Sequence, residues 1–188
     1  MGSKDRETPR NVILIGYMGT GKTSVGRRIA DSLGFKFVDT DELIEQKAGE
    51  PIPAIFEIRG ETSFRDLETE ALRSAAAGQD LVISTGGGIV LREENREIIA
   101  DAGYCIWLKA GAEAIFERVS GNENRPLLRT ENPRATIDKM LTEREPLYEA
   151  TADFVVTTDG LNIDEVTYGI CESVRVHFSH ESGCAAGS

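Results

Sequence analysis

Gly16-Tyr17-Met18-Gly19-Thr20-Gly21-Lys22-Thr23 fits the pattern Gly-x-x-x-x-Gly-Lys-[Ser/Thr] without departure. The residue types at this spacing define a phosphate-handling device. Glycines let the backbone N–H groups of Gly19, Thr20, Gly21, Lys22, Thr23 and Ser24 curl around oxyanions with no side chain in the way. Lys22 supplies a cation for the β- and γ-phosphates, and Thr23 supplies a hydroxyl for Mg²⁺. The flanks support the reading. Asn11–Ile15 is an apolar run suited to a buried strand, and Val25, Ile29 and Leu33 recur at helical spacing after the motif. A helix opening there points unpaired N–H groups and its positive dipole end at the phosphates.

Three further groups of residues bear on chemistry. Asp39-Thr40-Asp41 follows the strand-like Phe35–Val38. At the C-terminal end of a parallel strand, Asp39 could hold Mg²⁺ through water beside Thr23, and Asp41 could orient an acceptor hydroxyl or take its proton. Helix capping by Thr40 or Asp41 is the competing explanation. Gly86-Gly87-Gly88 follows the strand-like Asp80–Ser84. It offers close backbone approach and N–H groups to a small polar ligand, where a tight turn would need one glycine. Arg65 opens a helical stretch running to about Ala77. The dipole disfavours a cation there, so an anionic ligand explains it better than a surface pair with Glu61 or Glu68. Arg125, in Arg125-Pro126-Leu127-Leu128, lies in a loop that could close over transferring phosphates. Arg144, between Glu143 and Glu145, reads by itself as a solvated ion pair.

The elements that must position these groups alternate. Strand-like runs at Asn11–Ile15, Phe35–Val38, Asp80–Ser84, Tyr104–Leu108 and Asp153–Val156 are separated by helical patterns. Such alternation predicts an α/β fold, a mainly parallel sheet with helices on both faces. Ile163, Val166, Ile170 and Val174 mark a closing helix over Ile163–Val176. Two stretches exceed simple crossovers. Asp41–Glu70 contains Pro51 and Pro53, which are expected to interrupt helices, and Ser120–Asn132 reads as a lid loop. Met1–Arg10 and Ser179–Ser188 are expected to fray. No linker divides the chain, so all 188 residues are read as a single domain with these two insertions.

The net charge of −11 argues against nucleic acid as a partner and makes each loop arginine more informative. No apolar run approaches the roughly 20 residues needed to span a bilayer, and no signal segment is expected. Cys105, Cys171 and Cys184 form no Cys-x-x-Cys pair and fit a reducing cytoplasm as packing or surface residues. His177 and His180 gather no further ligand and read as solvated.

Taken in order over about residues 10–160, Gly16–Thr23, Asp39-x-Asp41, Gly60-Glu61-x-x-Phe64-Arg65-x-x-Glu68, Gly86–Gly88, Arg125–Leu128 and Arg144-x-Pro146-Leu147-Tyr148 resemble the shikimate kinase family. The resemblance implies a three-layer fold of the nucleoside-monophosphate-kinase type with a five-stranded parallel sheet. It implies ATP- and Mg²⁺-dependent phosphorylation of the shikimate 3-hydroxyl, on the way to aromatic amino acids, by a monomer that binds neither nucleic acid nor membrane. Carried over residue by residue, Lys22, Asp41 and Arg125 are catalytic, and Arg118 and Arg125 join the phosphate loop in holding the nucleotide, Arg118 flanking the adenine. Asp41, Arg65, Arg144 and the Gly86–Gly88 backbone hold shikimate, the arginines through its carboxylate. Thr23 and Asp39 face the metal. The family pattern does not account for Pro51 and Pro53. A small-molecule kinase acting on a sugar acid or a nucleotide, or a nucleotide-dependent switch that binds a partner, are the alternatives.

Overall fold

The computed structural model describes residues 10–119 and 132–184, with side chains up to Ser179. All of the expected lid Ser120–Asn132 except Asn132, Arg125 included, and the extreme termini lie outside the described residues. Five strands form one parallel sheet: β1 Asn11–Ile15, β2 Lys36–Asp39, β3 Leu81–Ser84, β4 Gly103–Lys109 and β5 Phe154–Thr157, in the order β2-β3-β1-β4-β5. Helices α1 Lys22–Leu33, α2 Thr40–Ala48, α3 Ile52–Ala76, α4 Glu93–Ala102, α5 Ala112–Val119, α6 Pro133–Thr151 and α7 Ile163–Cys184 connect and follow them.

Strand periodicity sorts the core into two layers. Val12, Leu14, Val82, Tyr104, Ile106 and Leu108 pack with Val25 and Ile29 of α1 and Val166, Ile170 and Val174 of α7. Their neighbours Ile13, Ile15, Ile83, Cys105 and Trp107 point the other way, onto Leu72 of α3, Ile99 of α4 and Tyr148 of α6. Cys105 and Cys171 are buried packing residues, as their scattered positions suggested. Burial of its thiol holds Cys105 well above the ordinary range, so it stays protonated and inert.

The differences from the sequence reading are local. β2 runs Lys36–Asp39 rather than Phe35–Val38, because Asp39 pairs in register with Ser84 and so ends on the sheet itself. Pro51 and Pro53 do not interrupt a helix. Pro51 is the N-cap of α3 and Pro53 lies in its first turn, where the missing N–H has no helical partner to lose. α3 is broken instead at Gly60, with φ 77° and ψ 171°, so Arg65 lies one turn beyond a break rather than at a helix start. The closing helix continues through the expected frayed segment to Cys184, and Ser179 Oγ donates to the Arg175 carbonyl. Arg10 is tied to Asp80 by two hydrogen bonds, of 3.0 and 2.6 Å. His177 is not simply solvated: its ring stacks on Tyr104 at 4.0 Å.

Candidate active site

Strand order puts three functional loops side by side. β2, β3 and β1 are neighbours, and the segments leaving their C-terminal ends are Thr40-Asp41, Thr85–Gly88 and Gly16–Gly21. Open parallel sheets bind ligands on that edge. Thr85 stitches two of the loops together, its N–H and its hydroxyl both donating to the Leu14 carbonyl. The buried charged residues of the described chain are Lys22, Asp39, Arg65, Glu68 and Arg144, and all five belong to this region. Burial of charge is expensive unless partners or a ligand compensate it.

In the phosphate loop Gly21 takes a left-handed conformation, φ 95°, as the N-cap of α1, which a side chain would disfavour. Lys22 Nζ donates to the carbonyls of Gly16 and Tyr17, at 2.7 and 2.9 Å, and Thr20 Oγ1 donates to Tyr17 at 2.9 Å. Arg118 reaches the same loop from α5. It donates to the Gly19 carbonyl at 3.4 Å and to Thr158 Oγ1 and its carbonyl at 3.2 and 3.3 Å. Thr158, at the end of β5, carried no signal in the sequence.

Asp39 uses its two carboxylate oxygens differently. One oxygen accepts from Thr23 Oγ1 at 2.8 Å, and the other accepts the Asp41 N–H at 3.0 Å, making Asp39 itself the cap of α2 rather than Thr40 or Asp41. A carboxylate and a hydroxyl held together suit Mg²⁺, which keeps waters and phosphate oxygens and needs few protein ligands. No cluster of three or more His, Cys, Asp or Glu side chains that could cage a metal occurs among the described residues.

Asp41 and Glu68 face each other across Gly86. A Cβ on Gly86 would stand 3.0 Å from Asp41 Oδ1 and 2.7 Å from Glu68 Oε1. Both oxygens are buried without a hydrogen-bond partner among the described residues. Burial raises the Asp41 carboxyl from 3.8 to about 6. The negative charges of Asp39, Glu68 and Glu45 push the same way, and Lys22 opposes them. Burial likewise raises Glu68, against the pull of Arg65. Two elevated carboxyls with unpaired oxygens aimed at one spot suit a polyhydroxylated ligand.

The arginines close the far side. Arg65 Nη1 donates to Glu68 Oε2 at 2.8 Å and Nη2 to Glu61 Oε1 at 3.2 Å, so both glutamates that could steady it do so. Gly88 lies flat against this guanidinium, and a Cβ there would be 2.3 Å from Nη1. Arg144 does not make the ion pair that its flanking glutamates suggested. Glu145 pairs with Lys109 and Glu143 with Lys139. Arg144 is buried over the Tyr17 ring and donates to the Gly87 carbonyl at 3.0 Å. Tyr148 Oη donates to the same carbonyl. The triple glycine is therefore less free than expected, because the Gly86 N–H goes to Thr40 Oγ1 at 3.3 Å. Sequence reasoning missed Tyr17, Thr40 and Tyr148. The spacing of Arg144 and Tyr148, one helical turn apart, was the available signal.

The family model for shikimate kinase matches residues 18–175. The chain belongs to the shikimate kinase family. A shikimate kinase from Thermodesulfovibrio yellowstonii is 48% identical over 157 residues, 84% of this chain and 90% of that protein. The solved shikimate kinase from Acinetobacter baumannii in complex with shikimate superposes with a TM-score of 0.86. It is 37% identical and covers 90% of this chain and 94% of that one. A gluconokinase from Sinorhizobium meliloti, TM-score 0.61, covers 93% of this chain and 99% of that one but is 17% identical and shares the fold alone. Membership in the shikimate kinase family makes the chain an ATP-using phosphotransferase. No helix among the described residues is long and apolar enough to cross a membrane.

Proposed function

We propose that this chain transfers the γ-phosphoryl group of ATP to the 3-hydroxyl of shikimate, giving shikimate 3-phosphate and ADP, as a cytoplasmic monomer in aromatic amino-acid biosynthesis. The observation that carries the reading is the pairing of two buried guanidiniums, Arg65 and Arg144, with the unpaired oxygens of Asp41 and Glu68 across one glycine loop. A carboxylate at one end of a ligand and hydroxyls at the other match that arrangement. A nucleotide acceptor would need a base pocket instead, and a switch would need no acceptor site.

In this reading the backbone N–H groups of residues 19–24 hold the β- and γ-phosphates, and Lys22 leaves its carbonyls to meet their charge. Arg118 flanks the adenine. Thr23 and, through water, Asp39 hold Mg²⁺, which supplies charge neutralisation at the phosphates. Arg65 and Arg144 anchor the carboxylate of shikimate against Gly86–Gly88, in an insertion spanning about 41–70 and the face of α6. Asp41 then orients the 3-hydroxyl. As the hydroxyl oxygen bonds to the γ-phosphorus, its proton passes to the Asp41 carboxylate and the bond to the β,γ-bridging oxygen breaks, releasing ADP. Arg125, on sequence grounds, belongs to a lid over about 120–132 that brings positive charge to the phosphoryl group and excludes water. The test is a coupled assay with Mg-ATP and a panel of acceptors. Turnover with shikimate but not gluconate or nucleoside monophosphates is expected. Turnover with either of those and none with shikimate would overturn the reading.

A further inference from the structure

Beside Arg144 of α6, the carboxylate end of the proposed site is made by two pieces of chain. One is the face of α3 carrying Arg65 and Glu68; the other is the segment from Gly86 through the short 3-10 turn Ile89–Leu91. No backbone hydrogen bond joins them among the described residues. Gly88 stands so near the Arg65 guanidinium that a Cβ there would be 2.3 Å from Nη1. Leu72 and Ala75 of α3 share a core cluster with Ile89 and Val90, but apolar packing is non-directional and leaves the orientation of the Arg65 face to polar contacts.

Arg92 supplies such contacts. It ends the 3-10 turn and caps α4, so its backbone belongs to the glycine-loop side. That side is internally tied: Leu91 N–H donates to Gly88, Asn95 Nδ2 to the Ile89 carbonyl at 3.0 Å, and Arg96 Nη1 to the Val90 carbonyl at 2.7 Å. The Arg92 guanidinium crosses to α3. Nη2 donates to Asp66 Oδ1 at 2.8 Å and to the Thr62 carbonyl at 3.5 Å, and Nη1 donates to Thr69 Oγ1 at 3.3 Å. Residues 62, 66 and 69 share one helix face and bracket Arg65. Thr69, which is buried, passes the contact on by donating to the Arg65 carbonyl at 3.0 Å. The pair with exposed Asp66 alone would be a weak surface bridge. The buried threonine and the planar fork make it a clamp with defined geometry.

We infer that Arg92 is a positioning residue for acceptor binding. It fixes α3 against the glycine loop and so sets where the Arg65 guanidinium meets the acceptor's carboxylate. The inference rests on the shikimate reading above.

The test compares wild type, Arg92→Gln, Arg92→Lys and Thr69→Val. Shikimate affinity is read from the fluorescence of Trp107, the chain's one tryptophan, which stacks on Tyr148 beside Gly87. KM values for shikimate and ATP and the melting temperature complete the set. Arg92→Gln should raise the Kd and KM for shikimate about fivefold to thirtyfold, the factor that follows from losing one or two kcal/mol. KM for ATP should stay within about twofold, as expected of a site far from the change. Arg92→Lys should recover only part of the loss, and Thr69→Val should move shikimate KM the same way. An acceptor analogue with its carboxylate reduced to an alcohol should not distinguish wild type from Arg92→Gln. A folded Arg92→Gln with wild-type shikimate KM, or one that loses ATP and shikimate affinity equally, would overturn the positioning role. If Arg92→Gln does not fold, Thr69→Val decides by the same criteria. Wild type that binds no shikimate would instead remove the functional reading beneath the inference.

Discussion

Asp41→Asn should slow the enzyme and stabilise the fold, and the pH at which the second effect appears is set by the site. Burial, helped by the charge of Asp39 and opposed by Lys22, lifts the Asp41 carboxyl from 3.8 to about 6 in the folded protein. A folded value above the unfolded one means that the native state holds this proton more tightly than the unfolded chain does. The contribution to stability is complete below about 3.8 and is lost as pH rises through about 6. At 1.36 kcal/mol per pH unit, the ionised carboxylate costs the fold up to about 3 kcal/mol at pH 8. Asparagine has no such charge. For a domain of this size about 1 kcal/mol moves the melting temperature by roughly 2–4 °C, so a gain of up to about 6–12 °C is expected at pH 8. Near pH 4 the gain should nearly vanish, because wild type is then protonated when folded.

Turnover should move the other way. Loss of general-base assistance lowers kcat by about 10²–10⁴-fold, with nucleotide affinity nearly intact. In wild type, kcat/KM should fall as pH drops below about 6, on a limb that belongs to the free enzyme. Calorimetric scans at pH 4 and pH 8, beside a coupled assay across pH, test both parts. A variant no more stable than wild type at pH 8, or equally stabilised at both pH values, would refute the electrostatic argument. Near-normal kcat would remove Asp41 from the proton transfer.

Lys22→Ala should weaken nucleotide affinity and turnover together, in contrast to Asp41→Asn; nucleotide titrations of both variants check the separation, and equal losses of affinity would erase it. Arg65→Lys should raise KM for shikimate more than KM for ATP, because a point charge replaces a planar fork already braced by Glu61 and Glu68; an acceptor lacking the carboxylate that binds wild type as well as shikimate does would give this arginine another job. Arg125→Ala should reduce kcat more than shikimate affinity, and amides in 120–132 should gain exchange protection only when nucleotide and shikimate are bound together. Unchanged exchange there, with protection elsewhere in the site, would mean that the loop is not a lid.

What could be read in the sequence was local. The phosphate loop, its strand and its helix are contiguous, and the five strands announced themselves by apolar runs whose alternate residues now face α1 and α7 or α3, α4 and α6. Edges were less legible, because a strand end is fixed by its neighbour: Asp39 belongs to β2 only through its register with Ser84. Pro51 and Pro53 misled because a proline that breaks a helix interior also begins one. The contacts of Tyr148, Thr158 and Arg92 could not be read because their partners, Gly87, Arg118 and Thr69, lie 61, 40 and 23 residues away.

The arginines show what kind of information was missing. In a chain of net charge −11 an arginine beside a glutamate invites the reading of a surface pair. Exposed pairs of that kind do occur, with partners distant in sequence: Arg10 with Asp80, Arg27 with Glu42 and Arg73 with Glu94. Arg144 has glutamates on both sides and pairs with neither, and Arg65 pairs with two and is buried all the same. Burial separates the two groups, and burial depends on which helix face turns inward, which neither residue's neighbours reveal. Arg65 lies over the Phe64 ring and Arg144 over the Tyr17 ring. Arg65 has Glu61 and Glu68 against it, whereas Arg144 meets a carbonyl and no carboxylate among the described residues, so the charge of the pair is incompletely compensated by the protein. On the proposed reading an arriving anion supplies that compensation, and this is the argument for assigning the acceptor's carboxylate to these two arginines rather than to the many exposed ones.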